Sequence, residues 1–228
     1  MDYSPLLISL KVSIYGILII LITALPSAWI STFYMKKYKG ILDSIFTLPM
    51  VLPPTVVGFF LLVILGKRGV LGNFFENLGF GFIFSSRGAV VAVVIVAFPL
   101  MYKTVSSAFE EIDENIISAA RLLGASELKL FFTIGIPLSI QGIAAGVVLS
   151  FARALGEFGA TLMIAGNIPG KTQTIPLAIY FAMESGDVKT AYFWVILIFF
   201  ISLAIMLLAN HWSRKYKTNK SSYGVEFY

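Results

Sequence analysis

The sequence has no cysteine, a single histidine and few charged residues. The absence of cysteine excludes a disulfide framework and a thiolate metal site, and His211 alone cannot build a histidine metal site. No Gly-x-x-x-x-Gly-Lys-Ser/Thr loop occurs, so the chain is not expected to hydrolyse ATP itself. Only 13% of the residues are charged, against about 25% in a typical soluble domain. This composition argues against a soluble protein.

Apolar residues dominate what remains. They make up 58% of the chain, and the mean hydropathy is +0.88. A helix rises about 1.5 Å per residue, so roughly 20 apolar residues cross a bilayer. Five runs are long enough, which predicts an all-α membrane domain over 1–215, followed by a cytoplasmic tail over 213–228. The predicted spans are about 6–35, 41–65, 88–108, 138–165 and 191–209.

Proline and basic residues refine these spans. The second run contains Pro49, Pro53 and Pro54, which free backbone carbonyls and predict a broken or strongly kinked span. The first run lacks the basic start and the small-residue cleavage site of a signal peptide, so it is predicted to be an anchor. The net charge of +5 is attributed to basic residues that face the cytoplasm, rather than to nucleic-acid binding.

Basic residues also predict the orientation. Ten of them fall in the link after span one, near the link after span three, or in the tail, and five fall on the opposite side. This bias favours an N-terminus outside and a C-terminus inside. The segment 174–183 is too short to span and is predicted to be a re-entrant or surface helix. If it does span, the number of crossings becomes even and the two termini can no longer lie on opposite sides. The ten residues are Lys36, Lys37, Lys39, Lys103, Arg121, Lys129, Arg214, Lys215, Lys217 and Lys220.

The link 110–137 between spans three and four carries the most informative pattern. It starts acidic, as suits a helix N-terminus, and then presents a small apolar face. Gly124 permits a left-handed turn before a second amphipathic helix, which is expected to place Leu128, Phe131 and Phe132 on one side. The link reads either as a helix–turn–helix that docks into a soluble partner or as an ordinary loop. The small face comprises Ala119, Ala120, Leu122 and Leu123.

This link resembles the signature loop of ATP-binding-cassette importer permeases. In that family the pattern runs acidic-Ala-Ala, three residues, Gly, then an apolar stretch that ends in Pro. Ser118 stands where the family often has Glu. The resemblance implies that the loop forms the coupling helix that seats in an ATPase subunit. The coupling residues it implies are Ala119, Ala120, Arg121, Leu123, Gly124, Ala125 and Pro137.

The resemblance narrows further to the molybdate permeases of the ModB type. It rests on the stretches 48–59, 66–69, 86–89, 151–161 and 166–176, the last of which contains Asn-Ile-Pro-Gly-Lys-Thr-Gln-Thr-Ile-Pro. Sulfate and thiosulfate permeases are the nearest alternative, and tungstate is a near-indistinguishable substrate. The resemblance implies a type I importer fold in the cytoplasmic membrane of a prokaryote, and transport by alternating access.

The resemblance also implies the assembly. Two copies of the chain would form the pathway, two ATP-binding-cassette subunits would bind below, and an extracytoplasmic molybdate-binding protein would deliver substrate. ATP and Mg would be bound by the ATPase subunits, and no cofactor, metal or nucleic acid by this chain. A stand-alone secondary transporter would show inverted repeats and several intramembrane charges, which the sequence lacks. A membrane-embedded enzyme would need clustered catalytic side chains at membrane depth.

Arg153 and Glu157 are the charged residues deep in the fourth run, four apart, as on one helical face. They either line or gate the path or form a structural ion pair, and an intramembrane ionisable pair is a functional candidate by default. Gly142 and Gly146 form a Gly-x-x-x-Gly face on the same run, suited to close packing between copies or within the chain. The remaining path or gate candidates are Pro53, Pro54, Thr55 and Thr161.

Overall fold

A computed structural model describes the backbone of residues 2–222 and the side chains of residues 2–207; the end of the predicted tail, 223–228, lies outside the described residues. The described part is helical and contains no strand. A 3₁₀ turn covers Lys36–Tyr38 and a π-helical turn covers Phe131–Gly135. The helices are α1 Ser4–Phe33, α2 Lys39–Val51, α3 Pro54–Leu65, α4 Val70–Asn77, α5 Ser86–Glu110, α6 Glu114–Leu122, α7 Glu127–Leu130, α8 Ile136–Leu138, α9 Ile140–Leu155, α10 Gly159–Ala165, α11 Ile175–Glu184 and α12 Val188–Ser222.

Three helices are individually long and apolar enough to cross a bilayer: α1, α5 and the part of α12 over Val188–Leu207. Two bent pairs also qualify: Lys36–Val51 with α3, at an angle of 107°, and Glu127–Leu138 with α9, at an angle of 76°. Up to five spans are therefore available in the described residues. The number of crossings and their orientation stay predictions.

The expected break in the second run is confirmed. α2 ends at Val51, and both Leu52 and Pro53 have extended backbone, with ψ of 140° and 136°. A proline ring disfavours the helical conformation of the residue before it. Pro53 therefore holds the backbone of Leu52 in the extended conformation, and Pro54 does the same to Pro53. Pro54 then begins α3, where its missing N–H costs little.

The fourth run is also divided. α9 ends at Leu155 and α10 begins at Gly159, so residues 156–158 lie between two helices. The expected short helix after Thr174 is present as α11, with ten residues. Its position relative to the bilayer stays a prediction.

The core is centred on α5, which packs against α1 on one side and α9 on another. Ile20, Ala24, Ala97 and Met101 are fully buried in one cluster that α1, α5 and α9 form together. The Gly-x-x-x-Gly face of α9 packs on α5: a methyl group on Gly142 would lie only 2.3 Å from Ala108 Cβ. This contact favours packing within the chain over packing between copies for that face.

Candidate functional site

The link 110–137 folds as the expected helix–turn–helix. Asp113 caps α6 by accepting a hydrogen bond from the Asn115 N–H at 2.8 Å, and Ser126 caps α7. Gly124 has a φ of +81°, a left-handed conformation in which glycine pays no steric penalty. The Gly124 N–H donates to the Arg121 carbonyl at 2.9 Å. The turn predicted at Gly124 is therefore confirmed.

The base of the link is anchored in the protein interior. Ile117 and Leu130 are buried, and the Phe131 ring lies 5.6 Å from the Trp29 ring of α1. The expectation that Leu128, Phe131 and Phe132 share one face is wrong. Leu128 is 71% exposed, while Leu130 and Phe131 point inward. Phe132 is exposed like Leu128, so of the three only Phe131 turns inward toward Trp29.

The tip of the link presents apolar side chains outward. Leu122 and Leu123 are each 89% exposed, and Ala119 is exposed beside them. Ala120 and Ala125 instead pack against the core cluster at the base. Adjacent exposed leucines on a helix end mark an interaction surface more often than a solvated one.

Arg121 is bound within the link. Its guanidinium Nε donates to Glu127 Oε1 at 2.8 Å and lies over the Tyr34 ring at 5.7 Å. The hydrogen bond to Glu127 raises the pKa of Arg121 above its ordinary value. Arg121 therefore fixes α6 against α7 and the end of α1.

Ion pairs tie the link to the start of α2. Lys36 pairs with Glu114, and Lys39 pairs with Glu110. Deeper in the same region, Tyr102 of α5 donates to Asp43 of α2 at 2.6 Å, and Lys103 lies 3.1 Å from the other oxygen of Asp43. Lysines assigned to one side of the membrane from sequence thus meet at one end of the molecule, together with the link. A displacement of α6 would pull on α1, α2 and α5 at once.

A second candidate site lies at the break in the fourth run. Glu157 is 2% exposed and lies in the turn beyond α9. The expectation that it shares a helical face with Arg153 is therefore wrong. The two nevertheless form an ion pair, with Arg153 Nη2 2.7 Å from Glu157 Oε2. The other oxygen, Oε1, accepts the Ala160 N–H at 2.9 Å. Glu157 thereby joins the end of α9 to the start of α10, and the Arg153 side chain remains 32% exposed.

The breaks in the second and fourth runs meet. A methyl group on Gly159 would lie 3.0 Å from Pro54 Cβ and 3.4 Å from the Thr55 nitrogen. Pro53, Pro54 and Thr55 are exposed at this junction. Thr161 is fully buried, and within the described residues its hydroxyl has no hydrogen-bond partner. The structure thus brings the six path candidates to one region, but only some of them reach the surface.

Two charged residues inside the predicted spans were not singled out from the sequence: Asp43 in the second run, which contacts Tyr102 and Lys103, and Lys11. Lys11 lies inside the first apolar run and is exposed on α1. A lone cation within a span is readable from the sequence, because such residues are costly in hydrocarbon and need a partner or an aqueous route.

Comparison with known proteins identifies a family of transport proteins and relatives named as molybdenum permeases. Residues 16–218 match the family model described as binding-protein-dependent transport system inner membrane component. The chain is 46% identical over 208 residues to the putative molybdenum transport system permease protein YvgM of Bacillus subtilis, covering 90% of each. It is 42% identical to the molybdenum transport system permease protein ModB of Escherichia coli K12, covering 92% of this chain and 93% of that one.

More distant similarities are also to transport proteins. A probable sulfate transport system permease protein cysT of Chlorella vulgaris is 31% identical, covering 91% of this chain and 78% of its own length. Among solved structures, a bacterial ABC transporter involved in the import of alginate aligns with a TM-score of 0.70 at 19% identity. That alignment covers 94% of this chain and 80% of that one. This likeness supports the all-α importer-permease fold.

Proposed function

Because the chain belongs to the family of binding-protein-dependent transport system inner membrane components, we propose that it carries molybdate across the cytoplasmic membrane. It is an ABC-importer permease subunit, and such subunits are not enzymes by themselves, since the ATPase is a separate chain. The structural observation that supports ATP-driven coupling is the exposed tip of the link, with Leu122 and Leu123 each 89% exposed above an anchored base.

The substrate proposal rests on the relatives. The chain is 39–46% identical over most of its length to several proteins named as molybdenum transport permeases, against 31–32% for the sulfate permeases. Tungstate is a tetrahedral dianion of the same charge and belongs to the proposal as an alternative substrate. Any such dianion in hydrocarbon would cost tens of kcal/mol of solvation energy. It therefore needs a polar route that is closed at one end at a time.

The proposed assembly has two copies of this chain, two ATPase subunits and an extracytoplasmic binding protein. Leu122 and Leu123 seat in an apolar groove of the ATPase, as an amphipathic helix enters a partner groove. Closure of the ATPase subunits around ATP and Mg pushes the link. The ion pairs of Lys36 and Lys39 transmit that motion to α2. The buried base of the link, where Phe131 packs on Trp29, transmits it to α1 and α5.

The proposed gate lies where the two breaks meet. Short helices such as α3 and α10 can change angle at 52–53 and 156–158 without breaking the hydrogen bonds of a long helix. Pro53, Pro54 and Thr55 form its exposed edge. Glu157 and Arg153 hold the shape of the break, and Thr161 packs behind it.

Transport by the reconstituted importer tests the substrate. We expect uptake and stimulated ATP hydrolysis with molybdate to exceed those with sulfate by tenfold or more at equal concentration, about 1.4 kcal/mol of discrimination. The assay uses vesicles that contain this chain and its ATPase, with the binding protein outside. Preference for sulfate would contradict molybdate as the substrate but would leave the role as an importer permease intact. Molybdate uptake in vesicles that lack the ATPase would contradict the permease role and leave the substrate intact.

A further inference from the structure

An apolar groove of about 490 Å³ lies between α1, α4 and the first turns of α5. Most of its wall is aliphatic or aromatic, including Val12, Tyr15, Phe75, Phe82, Val90 and Val91. Lys11 and Arg87 are the charged residues that line it. The groove therefore combines a long apolar surface with two cations, and neither the coupling link nor the helix breaks contribute to it.

The two cations lie at the same level along the protein. A methyl group on Gly16 of α1 would lie 2.7 Å from Val93 Cγ1 of α5, and the Tyr102 hydroxyl of α5 lies 2.9 Å from Ser31 Oγ of α1. The later residue of α1 contacts the later residue of α5, so the two helices run parallel. Lys11 comes five residues before Gly16, and Arg87 comes six before Val93. Both cations therefore stand near the beginnings of their helices, on either side of one groove.

The positive charge of the groove is not neutralised by the protein. Within the part of the chain that the structure describes, neither Lys11 nor Arg87 forms an ion pair. The Arg87 guanidinium lies over the Phe80 ring at 4.9 Å. Glu76, on the neighbouring helix α4, is engaged by Lys67 at 3.3 Å. Two cations without an acidic partner beside an apolar wall match a ligand that carries an anionic group on an apolar body.

We propose that this groove binds one anionic glycerophospholipid. Its phosphate lies between Lys11 and Arg87, and an acyl chain follows Tyr15, Val90 and Val91 toward the middle of the bilayer. The lysine stem of Lys11 runs along the apolar wall and brings its ammonium to the phosphate, as long cationic side chains do at membrane surfaces. The bound lipid occupies the groove between α1, α4 and α5.

Native mass spectrometry of the purified full chain in detergent tests this site. The probes are dioleoyl phosphatidylglycerol and dioleoyl phosphatidylcholine, added at equal concentration. Each cation near a membrane surface adds about a fivefold preference for an anionic lipid, so we expect the two together to retain phosphatidylglycerol about 25-fold better. The pair Lys11→Ala/Arg87→Ala should lose that preference. The pair Lys11→Arg/Arg87→Lys keeps both charges and should retain it.

Two controls separate this groove from general charge attraction. The pair Lys37→Ala/Lys189→Ala removes two exposed cations that neither line the groove nor form an ion pair within the described residues, and it should leave the preference unchanged. Val90→Trp fills the groove while keeping both cations, and it should reduce retention of phosphatidylglycerol. Equal loss in the control pair, or full retention with Val90→Trp, would overturn the proposal. So would a disulfide between copies through Tyr15→Cys, because a second copy would then cover the groove.

Discussion

Replacing Leu122 and Leu123 together with aspartate is expected to abolish ATP-driven uptake while the chain still folds and inserts. Both side chains are 89% exposed in the free chain, so their replacement removes no internal packing. Burial of a leucine in a partner groove contributes about 1.5–3 kcal/mol. Losing two weakens ATPase docking by about 100-fold or more. Copurification of the ATPase subunit and uptake in vesicles measure the two effects.

Leu78→Asp is the matched control for that pair. Leu78 is also an exposed leucine, at 56%, but it lies in the segment between α4 and α5. We expect ATPase copurification and uptake to remain near those of the unchanged protein. Normal copurification of the ATPase with the Leu122→Asp/Leu123→Asp chain would contradict the proposed docking surface.

Arg153→Ala is expected to destabilise the chain strongly. It leaves the Glu157 carboxylate, which is 2% exposed, without its cationic partner. Removing one member of a buried ion pair costs about 3–5 kcal/mol. The midpoint of thermal unfolding in detergent should fall by on the order of 10 °C.

The double variant Arg153→Ala/Glu157→Gln separates a structural role from a path role. The glutamine carbonyl oxygen can still accept the Ala160 N–H, and no buried charge remains. We expect thermal stability to recover and most uptake to be retained. A double variant that is stable yet transports nothing would show that the pair acts on the substrate path rather than on the shape of the break.

The sequence allowed the features that depend on local chemistry to be predicted. Apolar runs located the helices, consecutive prolines located the break at 52–53, and Gly124 located a left-handed turn. Each follows from backbone restrictions or from the length of an apolar run. For the link as a whole, the sequence left a helix–turn–helix and an ordinary loop both open, and the structure shows the helix–turn–helix.

Features that depend on tertiary contacts were not predictable in this way. The inward direction of Leu130 and the exposure of Leu128 depend on which side of the helix meets the core cluster that contains Trp29. Glu157 left the helical face of Arg153 because the chain breaks after Leu155, where Glu157 caps the next helix. The meeting of Pro54 with Gly159 joins residues far apart in sequence, and periodicity carries no information about such a contact.

Side-specific labelling of the tip of the link tests the account most directly. The chain contains no cysteine, so Leu123→Cys provides one reactive thiol at an exposed position. A membrane-impermeant maleimide should modify it in inside-out vesicles and leave it unmodified in intact cells. The bound ATPase subunit should then protect it. Modification in intact cells would place the tip on the exterior face, where no ATPase could drive it.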